Sequence, residues 1–211
     1  MIYLIGGTPR SGKTILAKKL AKDLNISWMS VDTLEGLTQH FTSSADYKKK
    51  FPKNILRERT GGSNDKMYSQ FSASKITNAY IAQAKSSQDV IAVLVEWLIG
   101  GNRDYIIEGY QVTPRLAANL LKKYGKNNIK AVFLGRKNIE KIVEDAKKGR
   151  DPDDWFLKKT RDKSTYPKIG AVISMYSNYI KQEANKYDLR YFNMDKDFRS
   201  QIIAAKNYLT R

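Results

Sequence analysis

Eight residues near the start of the chain, Gly7-Thr8-Pro9-Arg10-Ser11-Gly12-Lys13-Thr14, fit the pattern G-x-x-x-x-G-K-[ST] at every defined position. The run Ile2 to Ile5 before them is short and apolar, and Ile15, Leu16, Leu20 and Leu24 after them recur at helical spacing, so the motif lies between a strand and a helix. The glycines let the backbone curl until successive N–H groups point inward. The helix that opens at the loop adds its positive end, and the result is a nest for a polyphosphate. In such a nest Lys13 holds the β- and γ-phosphates and the Thr14 hydroxyl ligates Mg²⁺. Gly7, Thr8, Pro9, Arg10, Ser11, Gly12, Lys13 and Thr14 are therefore the candidate nucleotide-binding residues.

The rest of the chain alternates strands and helices. Ser27 to Val31 reads as a second strand ending at Asp32, Tyr105 to Ile107 as a third ending at Glu108-Gly109, Ile129 to Leu134 as a fourth and Leu189 to Asn193 as a fifth. Between them the spacing predicts one long helix over 70–99, helices at 115–124 and 169–186, and a last one at 198–209. Asn138 is placed to cap a helix after the fourth strand. The segment 36–70, broken by Pro52 and Gly61-Gly62, reads as a substrate-side loop or short helices, and the charge-dense segment 148–168 as a lid insert. This order predicts one α/β domain over 1–211, a parallel sheet covered by helices on both faces. Ligands of such sheets sit at the carboxyl ends of the strands.

Two carboxylates fall at those ends. Asp32 is placed to accept a proton from an attacking hydroxyl; a helix cap is the alternative role, and the two are compatible. Glu108 is placed to hold the water shell of Mg²⁺, with a surface turn as its alternative. Asn185-Lys186-Tyr187-Asp188 matches a guanine-recognition pattern but precedes a strand instead of ending one. We read adenine as the base, contacted by backbone around Asp195 and Lys196.

Leu4-Ile5-Gly6-Gly7-Thr8 leading into the phosphate loop, Val31-Asp32-Thr33, and Ile107-Glu108-Gly109 with Pro114 resemble the small-molecule kinases of the P-loop superfamily, and within them the 2-phosphoglycerate kinase-like proteins. The resemblance covers most of residues 1–135. It implies a three-layer fold with a five-stranded parallel sheet, ATP as donor, Mg²⁺, and an arginine-bearing lid after the fourth strand. Arg150 and Arg161 are the lid arginines it nominates, although nearby aspartates would also pair with them at a surface. Pro9-Arg10 departs from the small residues that many relatives carry there, so Arg10 either points toward substrate or obstructs an approach.

Composition narrows the partners. The 211 residues contain no cysteine, 41% hydrophobic and 28% charged residues, and a formal charge of +17. We expect a cytoplasmic protein without a membrane segment. The charge suits phosphates, acidic metabolites or nucleic acid, and a lysine-rich solvated surface accounts for it equally well. The leading expectation is phosphoryl transfer from ATP to a small anionic acceptor bound near Lys48 to Lys53, Arg57 and Arg59, with Asp32 as base. The alternatives are a kinase acting on the 5′-hydroxyl of a polynucleotide, and a nucleotide-binding switch or regulated ATPase without acceptor. Oligomeric state is not legible in the sequence.

Overall fold

The computed structural model describes residues 1–148 and 154–211. In chain order the elements are β1 (Ile2–Gly7), α1 (Lys13–Leu24), β2 (Ser27–Ser30), α2 (Val31–His40), α3 (Ser44–Lys50), α4 (Pro52–Glu58), α5 (Asn64–Gln70), α6 (Ala73–Ser86), α7 (Gln88–Gly100), β3 (Tyr105–Glu108), α8 (Pro114–Tyr124), β4 (Ile129–Gly135), α9 (Ile139–Lys148), α10 (Trp155–Lys158), α11 (Thr165–Lys186), β5 (Arg190–Asn193) and α12 (Phe198–Thr210). The five strands form one parallel sheet in the order β2-β3-β1-β4-β5.

Strand alternation divides the core into two layers. Ile2 and Leu4 of β1, Ile107 of β3 and Phe133 of β4 face a large cluster filled by α6, α7, α8 and α11. Tyr3, Ile5, Ile106, Val132 and Leu134 face the other way, onto Leu16 and Leu20 of α1 and Ile202, Ala205 and Leu209 of α12. The central strands are apolar on both sides because both faces are covered, as the continuous run in β4 predicts. The expected α/β class, the five parallel strands and the flanking helices are all present.

Three elements differ from the sequence reading. The second strand stops at Ser30, whose hydroxyl accepts from the Asp32 N–H at 3.4 Å and caps α2, so Val31 and Asp32 are already helical. The long helix expected over 70–99 is two helices, α6 and α7, separated at Ser87. The helix expected from 169 begins at Thr165; Pro167 lies in its first turn, where a missing N–H costs no helical bond. The substrate-side segment consists of short helices, α3 to α5, after the long part of α2. Among the described residues no helix is long and apolar enough to cross a membrane.

Candidate active site

The phosphate loop connects the end of β1 to α1. Gly7 has φ +132°, and a Cβ there would lie 1.9 Å from the Leu134 carbonyl oxygen, so only glycine lets the loop leave the sheet beside β4. The Thr8 N–H donates to that carbonyl (3.0 Å), and Ser11 Oγ and Lys13 Nζ both donate to Thr8 C=O (2.8 and 2.7 Å), which closes the loop on itself. Among the described residues, no acceptor takes a hydrogen bond from the amides of Arg10 to Thr14. Five consecutive donors at a helix start make an anion site. Burial pushes the Lys13 ammonium below the usual lysine value, against the pull of Glu108 and Asp32.

Parallel pairing brings the two sequence-predicted carboxylates together, because Ser30 of β2 registers with Glu108 of β3. Glu108 is buried and accepts from Thr14 Oγ1 at 2.9 Å. Asp32 is exposed, and its Oδ1 accepts from Gln111 Nε2 at 2.9 Å. The helix-cap alternative for Asp32 belongs to Ser30 instead. The Thr14 hydroxyl, Glu108 and Asp32 offer only hard oxygen donors, the set that suits Mg²⁺. No group of three or more acidic, histidine or cysteine side chains among the described residues is placed to hold a metal ion by itself. An Mg²⁺ ion here would take its other ligands from phosphates and water.

Thr14, Glu108 and Asp32 form one wall of a cavity of about 390 Å³. Glu35 of α2, Lys53 and Arg57 of α4, Tyr80 of α6, Tyr110 and Trp155 line the rest of it. Glu35, three residues along α2 from Asp32, is 4% exposed and anchors this part. It accepts from Gln83 Nε2 (2.7 Å), Tyr110 Oη (2.7 Å), Gln111 Nε2 (3.0 Å) and Lys53 Nζ (3.1 Å). Burial pushes the Glu35 carboxyl up, but Lys53 and the hydrogen bonds outweigh it and leave the group below the ordinary glutamate value. Tyr110 moves well above the ordinary tyrosine value, through burial first and then Glu35. Gln111 spends its two amide hydrogens on two carboxylates, Asp32 and Glu35, and so ties the exposed one to the buried one.

Of the expected acceptor-side cations, Lys53 and Arg57 line this cavity, while Lys48, Lys49, Lys50 and Arg59 are exposed outside it. Lys53 is matched by Glu35. Arg57 has no carboxylate partner among the described residues; it lies over the Trp155 ring (5.6 Å) and donates to Asn64 Oδ1 (3.4 Å).

A second cavity, about 470 Å³, also borders the phosphate loop and is lined by Arg10, Gly12, Lys13, Thr14, Ile15, Arg136, Asp145 and Phe198. Arg136 is buried between Asp145 (2.6 Å) and Asp195 (3.3 Å). Asp195 also accepts from the N–H groups of Lys137 and Asn138. The loop expected to read the base is thus engaged in holding Arg136, and Phe198 offers the apolar surface.

Arg10 pairs with Asp154 and sits over the Phe156 ring at 5.2 Å. Arg161 is exposed between α10 and α11, its N–H donating to Asp65 Oδ2 at 2.8 Å, and it lines neither cavity. Arg150 lies outside the described residues. Glu35, Gln83, Tyr110, Gln111 and Arg136 are not marked by the sequence, and Asp154, one of the aspartates expected to pair with the lid arginines at a surface, is buried and pairs with Arg10 instead. The one local signal was the spacing of Glu35 from Asp32, which places both on one side of a helix.

No family model matches the chain, and no curated protein matches it. Solved structures do. A gluconokinase from Sinorhizobium meliloti aligns over 99% of this chain and 91% of its own, with 10% identity and a TM-score of 0.53. A shikimate kinase from Bacteroides thetaiotaomicron aligns over 100% and 96%, with 14% identity and a TM-score of 0.45. A deoxyadenosine kinase from M. mycoides aligns over 100% and 99%, with 15% identity and a TM-score of 0.46. The gluconokinase comparison shows a shared fold, a five-stranded parallel sheet flanked by helices.

Proposed function

We propose that the chain is a kinase that moves the γ-phosphoryl group of ATP to a hydroxyl or phosphate of a small anionic acceptor. One observation carries this reading: two cavities meet at the phosphate loop and share Arg10, Lys13 and Thr14, one lined by Asp32 and the other by Arg136 and Phe198. A nucleotide whose phosphates lie in the loop has its base on the Arg136–Phe198 side and its γ-phosphate toward Asp32. The first cavity, at about 390 Å³, has room for a small molecule, and Arg57, without a carboxylate partner among the described residues, offers it a guanidinium for an anionic group.

In the reaction the acceptor oxygen attacks the γ-phosphorus and its proton passes to the Asp32 carboxylate. The bond from the γ-phosphorus to the β,γ-bridging oxygen breaks, and ADP leaves with the electron pair. Gln111 holds Oδ1 of Asp32, leaving Oδ2 for the proton. Lys13 neutralises the β- and γ-phosphates. The Thr14 hydroxyl would hold Mg²⁺ directly and Glu108 through water, the ion supplying charge neutralisation on the transferring group.

The test is a screen of acceptors with γ-labelled ATP, followed by mass measurement of the labelled product. It includes 2-phosphoglycerate, because of the sequence resemblance, and 5′-hydroxyl oligonucleotides, because of the +17 charge. With the acceptor found, Asp32→Asn is expected to slow transfer by about 10² to 10⁴ with ATP affinity unchanged. Full turnover in that variant refutes the role of Asp32. Label recovered only as inorganic phosphate with every acceptor favours a regulated ATPase.

A further inference from the structure

Accepting the kinase reading as its basis, we infer that Arg10, from within the phosphate loop itself, is the arginine that grips the γ-phosphoryl group, and that Asp154 and Phe156 position it. The donor-side and acceptor-side cavities share three lining residues, Arg10, Lys13 and Thr14. A group in transit between the two passes these three. Lys13 and Thr14 already have phosphate and metal roles, which leaves Arg10 as the guanidinium at the crossing point.

Its surroundings suit that task. One terminal nitrogen donates to Asp154 Oδ2, and the plane rests over Phe156. Nε and the second terminal nitrogen have no partner among the described residues, so the edge of the fork that suits a phosphate is uncommitted. Asp154 is 8% exposed, and its other oxygen accepts from the Phe156 N–H at 3.0 Å, capping α10. The bracket is therefore fixed by its own helix start and does not depend on Arg10 for its position.

The alternatives within the described residues are spent or misplaced. Arg136 lies between two carboxylates, Lys53 is matched by Glu35, Arg57 reaches only the acceptor side, and Arg161 lies outside both cavities. The backbone gives no reason for an arginine at this position either. Arg10 has φ +59°, a conformation that glycine adopts more readily. A strained residue with an uncommitted charged edge in a cleft has its explanation in the side chain.

Calorimetric titration of Mg·ATP and Mg·ADP into the full chain tests the inference without an acceptor. Arg10→Gly relieves the backbone and removes the guanidinium. It is expected to weaken ATP about tenfold or more while ADP stays within about twofold, the loss of one charge-assisted contact made only to the γ-phosphate. Asp154→Asn is expected to weaken ATP by about threefold with ADP unmoved. The double variant should be no worse for ATP than Arg10→Gly alone, because a positioning residue acts only through the group it positions. Equal weakening of ATP and ADP in Arg10→Gly, or no change in either, overturns the role of Arg10. Additive losses in the double variant overturn the role of Asp154. Wild-type protein that binds neither nucleotide refutes the kinase reading itself.

Discussion

Replacing Glu35 by glutamine changes one oxygen into an NH₂ group and removes one charge, yet the structure makes it a severe substitution. The carboxylate takes five hydrogen bonds, four of 2.7 to 3.1 Å from Gln83, Tyr110, Gln111 and Lys53 and a longer one of 3.4 Å from Gln39, and every partner is a donor toward it. A glutamine oxygen satisfies two of them, and its new NH₂ faces the remaining donors. Lys53, 14% exposed, keeps only the Tyr110 hydroxyl at 2.9 Å and the faces of Tyr80 and Tyr110. Breaking a buried ion pair on one side costs about 3–5 kcal/mol. For a chain of this length each kcal/mol lowers the melting temperature by about 2–4 °C, so Glu35→Gln should melt roughly 6–20 °C lower. Circular dichroism melts and urea titrations at neutral pH measure this. Adding Lys53→Met to the variant should recover part of the loss by removing the orphaned cation. The pH dependence has a definite sign. Because the folded carboxyl titrates below its unfolded value, the stabilisation is complete above the unfolded value and lost as pH falls through the folded one. The gap between wild type and variant therefore narrows on acidification below about pH 4.3. A loss under about 1 kcal/mol would put Glu35 among ordinary surface pairs and refute the argument, as would a Lys53→Met change that adds to the damage.

Two further outcomes follow from the same geometry. A Cβ at Gly109 would lie 2.6 Å from Gln111 Oε1 and 2.9 Å from Val31 Cβ, so Gly109→Ala displaces the amide that holds Asp32. It should cost about 1–3 kcal/mol of stability and slow transfer while ATP affinity holds, since the phosphate loop is untouched; a variant with full turnover contradicts this. Lys13 is buried and titrates below the ordinary lysine value, so the free folded protein binds fewer protons than the unfolded chain in the interval between the two values and gains stability as pH rises there. Phosphate binding requires the ammonium form. ATP affinity should thus fall with rising pH sooner than an ordinary lysine would predict, with proton uptake on binding that calorimetry in two buffers of different ionisation enthalpy detects; uptake that persists in Lys13→Met refutes the assignment.

What could be read from the sequence follows from where each signal is stored. The strands, the phosphate loop and the placing of Asp32 and Glu108 depend on residues close in the chain, plus the rule that parallel strands align their carboxyl ends. Ser87 was invisible because the apolar spacing of α6 continues in phase into α7, and a serine within a helical pattern does not announce a break. The Glu35 network was invisible for another reason. Gln83, Tyr110 and Gln111 reach it from 48, 75 and 76 residues away, and nothing in their own neighbourhoods marks them as polar partners of one buried charge. Arg10 and Asp154, 144 residues apart, are the exception that was half legible. The sequence does not name the partner, but Pro9-Arg10 stands where many relatives carry small residues, and the structure adds that the backbone at Arg10 is left-handed. Local rules and global fold agree through most of a chain that folds well. A residue that breaks a local rule inside an otherwise matching motif is therefore where sequence alone points at chemistry. The left-handed backbone at Arg10 costs about 1–2 kcal/mol in an L-residue, and the pair with Asp154 over Phe156 is what holds that strain in place at the junction of the two cavities.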